Sequence, residues 1–488
     1  MKPKSALRCF LALAGSSLLA VSYSDAATLY WDGATPAGAP GGGAGTWDTS
    51  LTNWDNTPSA DSSTAWVNAD LDTAVFGGTA STSGSPVSLG TGISVGGLRF
   101  DTTAYYISTG ANTLFFGAGN DTITLNNAIA AATITGTVGG SGNLALTTPN
   151  PYTSSTLTFN GISTGGWSGA TTVNSGMNLA TTSTSSLINQ VLNGTTGITL
   201  NDGTISFTRA SNAQLNAIND SAAIAVNGSG TFSVTSSGGG ASATENMGGV
   251  TVNSGLLNLV QWVNNQNTVQ LSSFSRSGTA SLAISANSSA FATAAFTVNG
   301  ASATAANEII GPWATVGTAA NAQTDYAIYD SSSRFVARNI AASAESTWST
   351  AATPAVTDNY TLSSPGLAGG TNLTATRIMN SLRRTGGATT AITSTSGNTI
   401  TITGSTFQNG DAVVFTGNNS GGLTRDNLYL NNGSATMAVN APITDNGGAV
   451  TVVKNGSAGA LTLSGNNTFS GGLVVNPRCA GCGVRAKP

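Results

Sequence analysis

Histidine is absent from the 488 residues, and charge of either sign is scarce, with 16 Lys and Arg together against 20 Asp and Glu. The first absence excludes a Ser-His-Asp triad, a His general base and a His-liganded zinc site. The second removes the clustered cationic face that a phosphate backbone requires, so nucleic acid is not an expected partner. Cysteine is limited to Cys9, Cys479 and Cys482, too few for a disulfide framework. Cys479 and Cys482 form a C-x-x-C pair, a spacing shared by redox sites, half metal sites and local disulfides. A four-ligand zinc site would need further Cys or His, which the chain lacks. No stretch offers helix caps with a 3.6-residue apolar period over many turns, so helical bundles are excluded as well.

What is present is glycine, 62 residues of it, together with abundant Thr, Ser, Asn and Ala. Short apolar runs recur, as at 93–100, 122–125, 203–208 and 460–463. Thr and β-branched residues favour a pleated, half-buried surface, and the intervening Gly and Asn supply turns that need positive φ. The composition therefore points to an all-β protein.

Residues 1–26 stand apart. Lys2, Lys4 and Arg8 precede an apolar run at 10–21, and Ser24-Asp25-Ala26 places small residues where a signal peptidase cuts. The run is short for a membrane anchor, so an exported chain with no transmembrane domain after cleavage is expected. Removal of the leader leaves 13 basic and 19 acidic residues, a net charge of about −6.

Three stretches repeat. Residues 142–176, 247–260 and 459–476 each carry a short alternating strand, a Gly/Asn corner and another short strand. In two of them an aromatic lies between, so that Trp167-Ser168-Gly169 corresponds to Phe469-Ser470-Gly471 and Val173-Asn174 to Val475-Asn476. A unit of about 20–30 residues cannot bury a core alone, but stacked units cover one another's edges. The expected architecture is an elongated right-handed parallel β-helix of short rungs, on the order of 20 of them in a rod near 100 Å long. Tandem β-sandwiches are the competing arrangement. Residues 28–80, with Trp31, Trp47, Trp54 and Trp66, and residues 308–385, with Trp313 and Trp348, read as aromatic caps over the exposed ends. Stacking of Trp31 or Trp54 on a sugar is the alternative role for those rings. The resulting division is a signal peptide at 1–26, a Trp-rich β segment at 27–140, repeats at 141–307, a second Trp/Tyr-containing segment at 308–385, repeats at 386–476 and an irregular tail at 477–488.

The unit at 461–475, L-T-L-S-G-N-N-T-F-S-G-G-L-V-V, closely resembles the repeat of bacterial autotransporter-associated β-strand proteins, also called passenger-associated transport repeat proteins. Residues 157–173 resemble it more loosely, and 249–259 keep only the V-T-V-N-S-G-L-L-N-L part. The opening motifs W-D-G at 31–33, G-T-W at 45–47 and D-T-A-V-F-G at 72–77 resemble the start of large exported members. The resemblance implies a β-helical passenger, secreted or held at the cell surface or outer membrane, and it carries no catalytic residues. Autotransporters end in a membrane β-barrel, and no such pattern follows the last repeat. The tail is read either as a truncated end or as that of a lineage without the barrel.

Acid chemistry has few candidates. Asp70, Asp72, Asp101 and Asp121 are the densest carboxylates and lie at turn-like positions, where Asp commonly bonds its own backbone. Arg383-Arg384 is an isolated basic pair. Residues 117–125, G-A-G-N-D-T-I-T-L, look like one copy of a calcium-binding Gly/Asp nonapeptide, but such sites need stacked copies, and the stretch is read as a turn leading into a strand. Accordingly no catalytic, cofactor-binding or metal-binding residue is assigned and no cofactor is expected. The expected function is that of an exported, non-enzymatic structural or adhesive rod meeting surface glycans or other cell-envelope proteins, with self-association open to it. The alternatives are a β-helical polysaccharide lyase or hydrolase and a self-assembling sheath subunit.

Overall fold

The computed structural model describes residues 26–486, apart from short internal segments of which the longest are 183–189, 237–243, 287–294, 364–370, 409–415, 418–426 and 477–483. Residues 1–25 of the expected leader, Cys479 and Cys482 lie outside the described residues.

Alternation decides the local structure. In Ser155–Asn160 and Met177–Thr182 every second side chain is buried, so Leu157, Phe159 and Leu179 face inward while the intervening Thr and Asn face outward. From Gly97–Phe100 to Ala314–Gly317, successive strands go alternately to a 12-stranded and a 14-stranded sheet. Each rung thus contributes one strand to each sheet, and the apolar faces meet in one continuous core. Pairing is parallel and in register. Thr172, Thr199, Ala225 and Thr251 are consecutive partners, which makes these rungs 27, 26 and 26 residues long. The expected stacked-rung β-solenoid is what the chain forms.

Both ends of this first stack close with antiparallel pairs. Thr28–Trp31 pairs antiparallel with Trp54–Asp55, and Trp31, Trp47, Trp54 and Trp66 are wholly buried there. Their rings meet edge-on or tilted, with centroids about 5 Å apart, a favourable arrangement for aromatic quadrupoles. Rings with no exposed face cannot stack on a sugar, so the alternative role for Trp31 and Trp54 is corrected to core packing. At the far end, Ala314–Gly317, Gln323–Tyr329 and Phe335–Ala337 form an antiparallel meander that completes the 14-stranded sheet.

The remaining rungs form a second stack. Asn359–Ser363, Ser381–Thr385, Thr406–Gln408, Asn427–Asn431, Thr451–Asn455 and Leu473–Val475 pair parallel in a six-stranded sheet. It has its own core, including Trp348, Met379, Leu382, Leu428, Leu430, Val452 and Leu461.

The second stack does not extend the first. It folds back along it. Tyr326 donates to Leu382 O at 3.0 Å, Asn431 to Pro312 O at 3.3 Å, and Asn476 to Thr279 O at 3.0 Å. As the chain advances through the second stack, its partners recede along the first. The expected elongated solenoid is thus built of two packed stacks of rungs rather than one unbroken column.

Candidate functional surface

The rung corners build the most regular polar feature. Asn174, Asn201, Asn227 and Asn253 each follow an apolar residue and open a tight turn into the opposite sheet. Gly176, Gly228 and Gly255 complete three of these turns at φ +79°, +90° and +75°. The Asn amides join in a ladder: Asn201 donates to Asn174 at 3.0 Å, Asn227 to Asn201 at 3.1 Å and Asn253 to Asn227 at 2.9 Å. Thr171 and Thr195, Thr124 and Thr147, and Thr251 and Ser275 bond similarly between rungs. The ladder escaped sequence reading, although Asn at intervals of 27, 26 and 26 residues was its signal.

The four acidic candidates do not converge on an open cleft. Asp70 lies in a turn closed by its own amide, which donates to Val67 O at 3.2 Å. Asp72 accepts from Ala27 N at 2.6 Å, a contact 45 residues away rather than with its own turn; burial raises its carboxyl above the usual range. Asp101 pairs with Arg99 at 2.8 Å. Asp121 has no hydrogen-bond partner for Oδ2 and is 5% exposed, and burial pushes its carboxyl up to about 6. Own-backbone bonding is therefore corrected for Asp72, Asp101 and Asp121. Register places Asp72 and Asp121 in one column, flanking Gly96, two rungs or roughly 10 Å apart. Both are buried, so neither faces a bound polymer.

Two further ionisable groups sit in the cores. Glu245 accepts from Ala217 N and Ile218 N, at 3.0 and 2.9 Å, and burial pushes its carboxyl up to about 7. Lys454 is wholly buried, donates to Gly456 O at 2.9 Å and is pushed down to about 8 by burial. Of the basic pair, Arg383 reaches across to Asp325 and ties the two stacks together. The side chain of Arg384 lies outside the described residues.

Cavities lie along the seam between the stacks. One, of about 510 Å³, is lined by Arg276, Trp313, Asn427, Tyr429 and Thr451. Arg276 lies 4.9 Å from the Trp313 ring and donates to Ala280 O at 2.7 Å and Tyr429 at 3.2 Å. A second, of about 560 Å³, lies between the Asn227 corner and Leu473–Val475. The linings offer hydrogen-bonding groups, the Arg276 cation in the first cavity and the Asp202 carboxylate in the second. Among the described residues there is no cluster of three His, Cys, Asp or Glu, and no helix is long and apolar enough to cross a membrane.

The chain is similar to the Adhesin BmaC autotransporter of Brucella suis biovar 1 (strain 1330), with 38% identity over 156 residues. That stretch is 30% of this chain and 4% of the adhesin's length, so the match reaches a small part of a far longer protein. No protein-family model matches, and no solved structure does. By sequence and by architecture, this chain is a β-solenoid distantly homologous to an autotransporter adhesin.

Proposed function

We propose that the chain is an exported, non-catalytic rod that acts at the cell surface or outside the cell, as a structural element or an adhesin. The observation that carries the proposal is the 156-residue similarity to an adhesin, in a chain whose rungs display Asn, Thr and Ser. A stack of nearly equivalent polar edges offers many weak hydrogen bonds to a glycan or an envelope protein, and multivalency turns weak contacts into retention. The low net charge leaves contact between like chains with little electrostatic opposition.

Expression of the full chain in a bacterial host, followed by fractionation, tests export; the purified product, applied to a glycan array and to isolated cell envelopes, tests adhesion. Processing near residue 26 with retention on a subset of surfaces is the expected result. A protein that stays unprocessed in the cytoplasm, or binds neither glycans nor envelopes, overturns the proposal. Release of new reducing ends from a polysaccharide would instead favour a carbohydrate-active enzyme.

A further inference from the structure

The Asp121 carboxylate sits under an exposed turn with its Oδ2 atom bonded to nothing. Its surroundings are oxygens. A side-chain carbon built on Gly142, in the next rung, would lie 2.8 Å from Asp121 Oδ2 and 2.8 Å from Gly119 O, and would overlap Gly117 O. Three oxygens from one turn therefore face one small region, which stays open only because residue 142 is glycine. Gly119 O also accepts from Asn143 N at 2.8 Å, and Asn120 Oδ1 from Asn143 Nδ2 at 2.9 Å, so Asn143 fastens the turn to the rung above.

A buried carboxylate without a donor is costly, and a proton or a cation relieves it. We propose that Asp121 Oδ2, Gly117 O and Gly119 O form a calcium site, the exposed turn at 118–120 admitting the waters that complete the ion's coordination. The donor set is all oxygen, which suits a hard cation and not zinc or copper. Three irregularly placed protein ligands fit calcium, with its flexible shell of 6–8 oxygens, better than magnesium, which demands an octahedron. This differs from a repeated nonapeptide array, because the neighbouring rung contributes the Gly142 vacancy rather than a second carboxylate. With one formal charge, the site belongs to the weak extracellular class, with a Kd of about 10⁻⁴–10⁻³ M.

The inference does not rest on the adhesive role and is tested separately. The full chain is titrated with calcium at neutral pH by calorimetry, and its thermal midpoint is followed up to about 10 mM ion, some tenfold above the weakest expected Kd. The expected result is saturable binding and a rising midpoint, with affinity at least tenfold lower in Asp121→Asn and in Gly142→Ala, and unchanged in Asp72→Asn. Circular dichroism confirms that each variant keeps its β structure; if Gly142→Ala does not fold, Asp121→Asn and Asp72→Asn decide alone. Absence of heat and of any midpoint shift overturns the site. Binding that persists at full strength in Asp121→Asn overturns it equally.

Discussion

Ser281 donates to the side-chain oxygen of Asn455 at 2.8 Å, across 174 residues of sequence, and the pair is buried between the two stacks. Asn431 and Asn476 hold equivalent corner positions in the second stack and also bond to the first. Corner asparagines that bond to one another in the first stack thus bond outward in the second. The same residue type closes a rung in one place and docks a whole stack in the other.

Replacement Asn455→Ala removes the shorter of the Ser281 hydroxyl's acceptors and leaves it the longer bond to Thr279 O at 3.3 Å, a loss of about 0.5–1.5 kcal/mol. The loss should fall on the seam rather than on either core. Hydrogen exchange is expected to quicken at 277–281 and 451–476 while the core strands at 155–182 keep their protection. Uniform acceleration across the chain would contradict a separable seam.

The two buried ionisable groups predict an uncommon pH profile. Glu245 titrates near 4.5 when unfolded and near 7 when folded, so the folded state binds the extra proton, and stability falls as pH rises from about 4.5 to about 7. Asp121, raised to about 6, adds to that limb. Lys454 titrates near 10.5 unfolded and near 8 folded. The unfolded state binds the extra proton there, and stability climbs from about pH 8 to about 10.5. Each limb amounts to on the order of 3 kcal/mol. Urea midpoints measured without calcium should therefore pass through a minimum between about pH 7 and 8. Glu245→Gln should flatten the acid limb and Lys454→Met the alkaline one; a maximum in that interval would refute the assignment.

Gly471 and Gly472 are adjacent but needed for different reasons. Gly472 has φ +90° with nothing within 4 Å, so a side chain there meets backbone strain alone. A side-chain carbon on Gly471 would press on the Val450 and Thr451 backbone at 2.6 and 2.7 Å. Gly472→Ala should cost about 1 kcal/mol and Gly472→Asn less, because Asn tolerates positive φ. At Gly471 the two substitutions should be comparably damaging, since space and not conformation is limiting. Denaturant midpoints of the four variants check the contrast.

The stacking was legible because it is periodic. Alternation in T-L-T-F-N, the corner glycines and units of about 20–30 residues together specify parallel rungs. The Trp-rich opening was legible as a cap because Trp31, Trp47, Trp54 and Trp66 cluster amid polar turns ahead of the first repeats. The fold-back was not legible: it depends on isolated contacts such as Asn455 with Ser281 and Arg383 with Asp325, which leave no repeating trace in sequence. Asp121 escaped for a related reason. Its environment is set by a glycine 21 positions later, and an Asp in a Gly/Asn turn looks the same whether or not its oxygen finds a donor.

The fold-back has a mechanical consequence. Thr28–Trp31 lies at one end of the first stack, whereas Leu473–Val475 lies beside the Asp202, Asn227 and Ser254 corners, part of the way along it. Tension applied between these strands would not pull on every rung in series. It would first peel the second stack from the first, one asparagine contact at a time, lengthening the molecule while both cores stay folded.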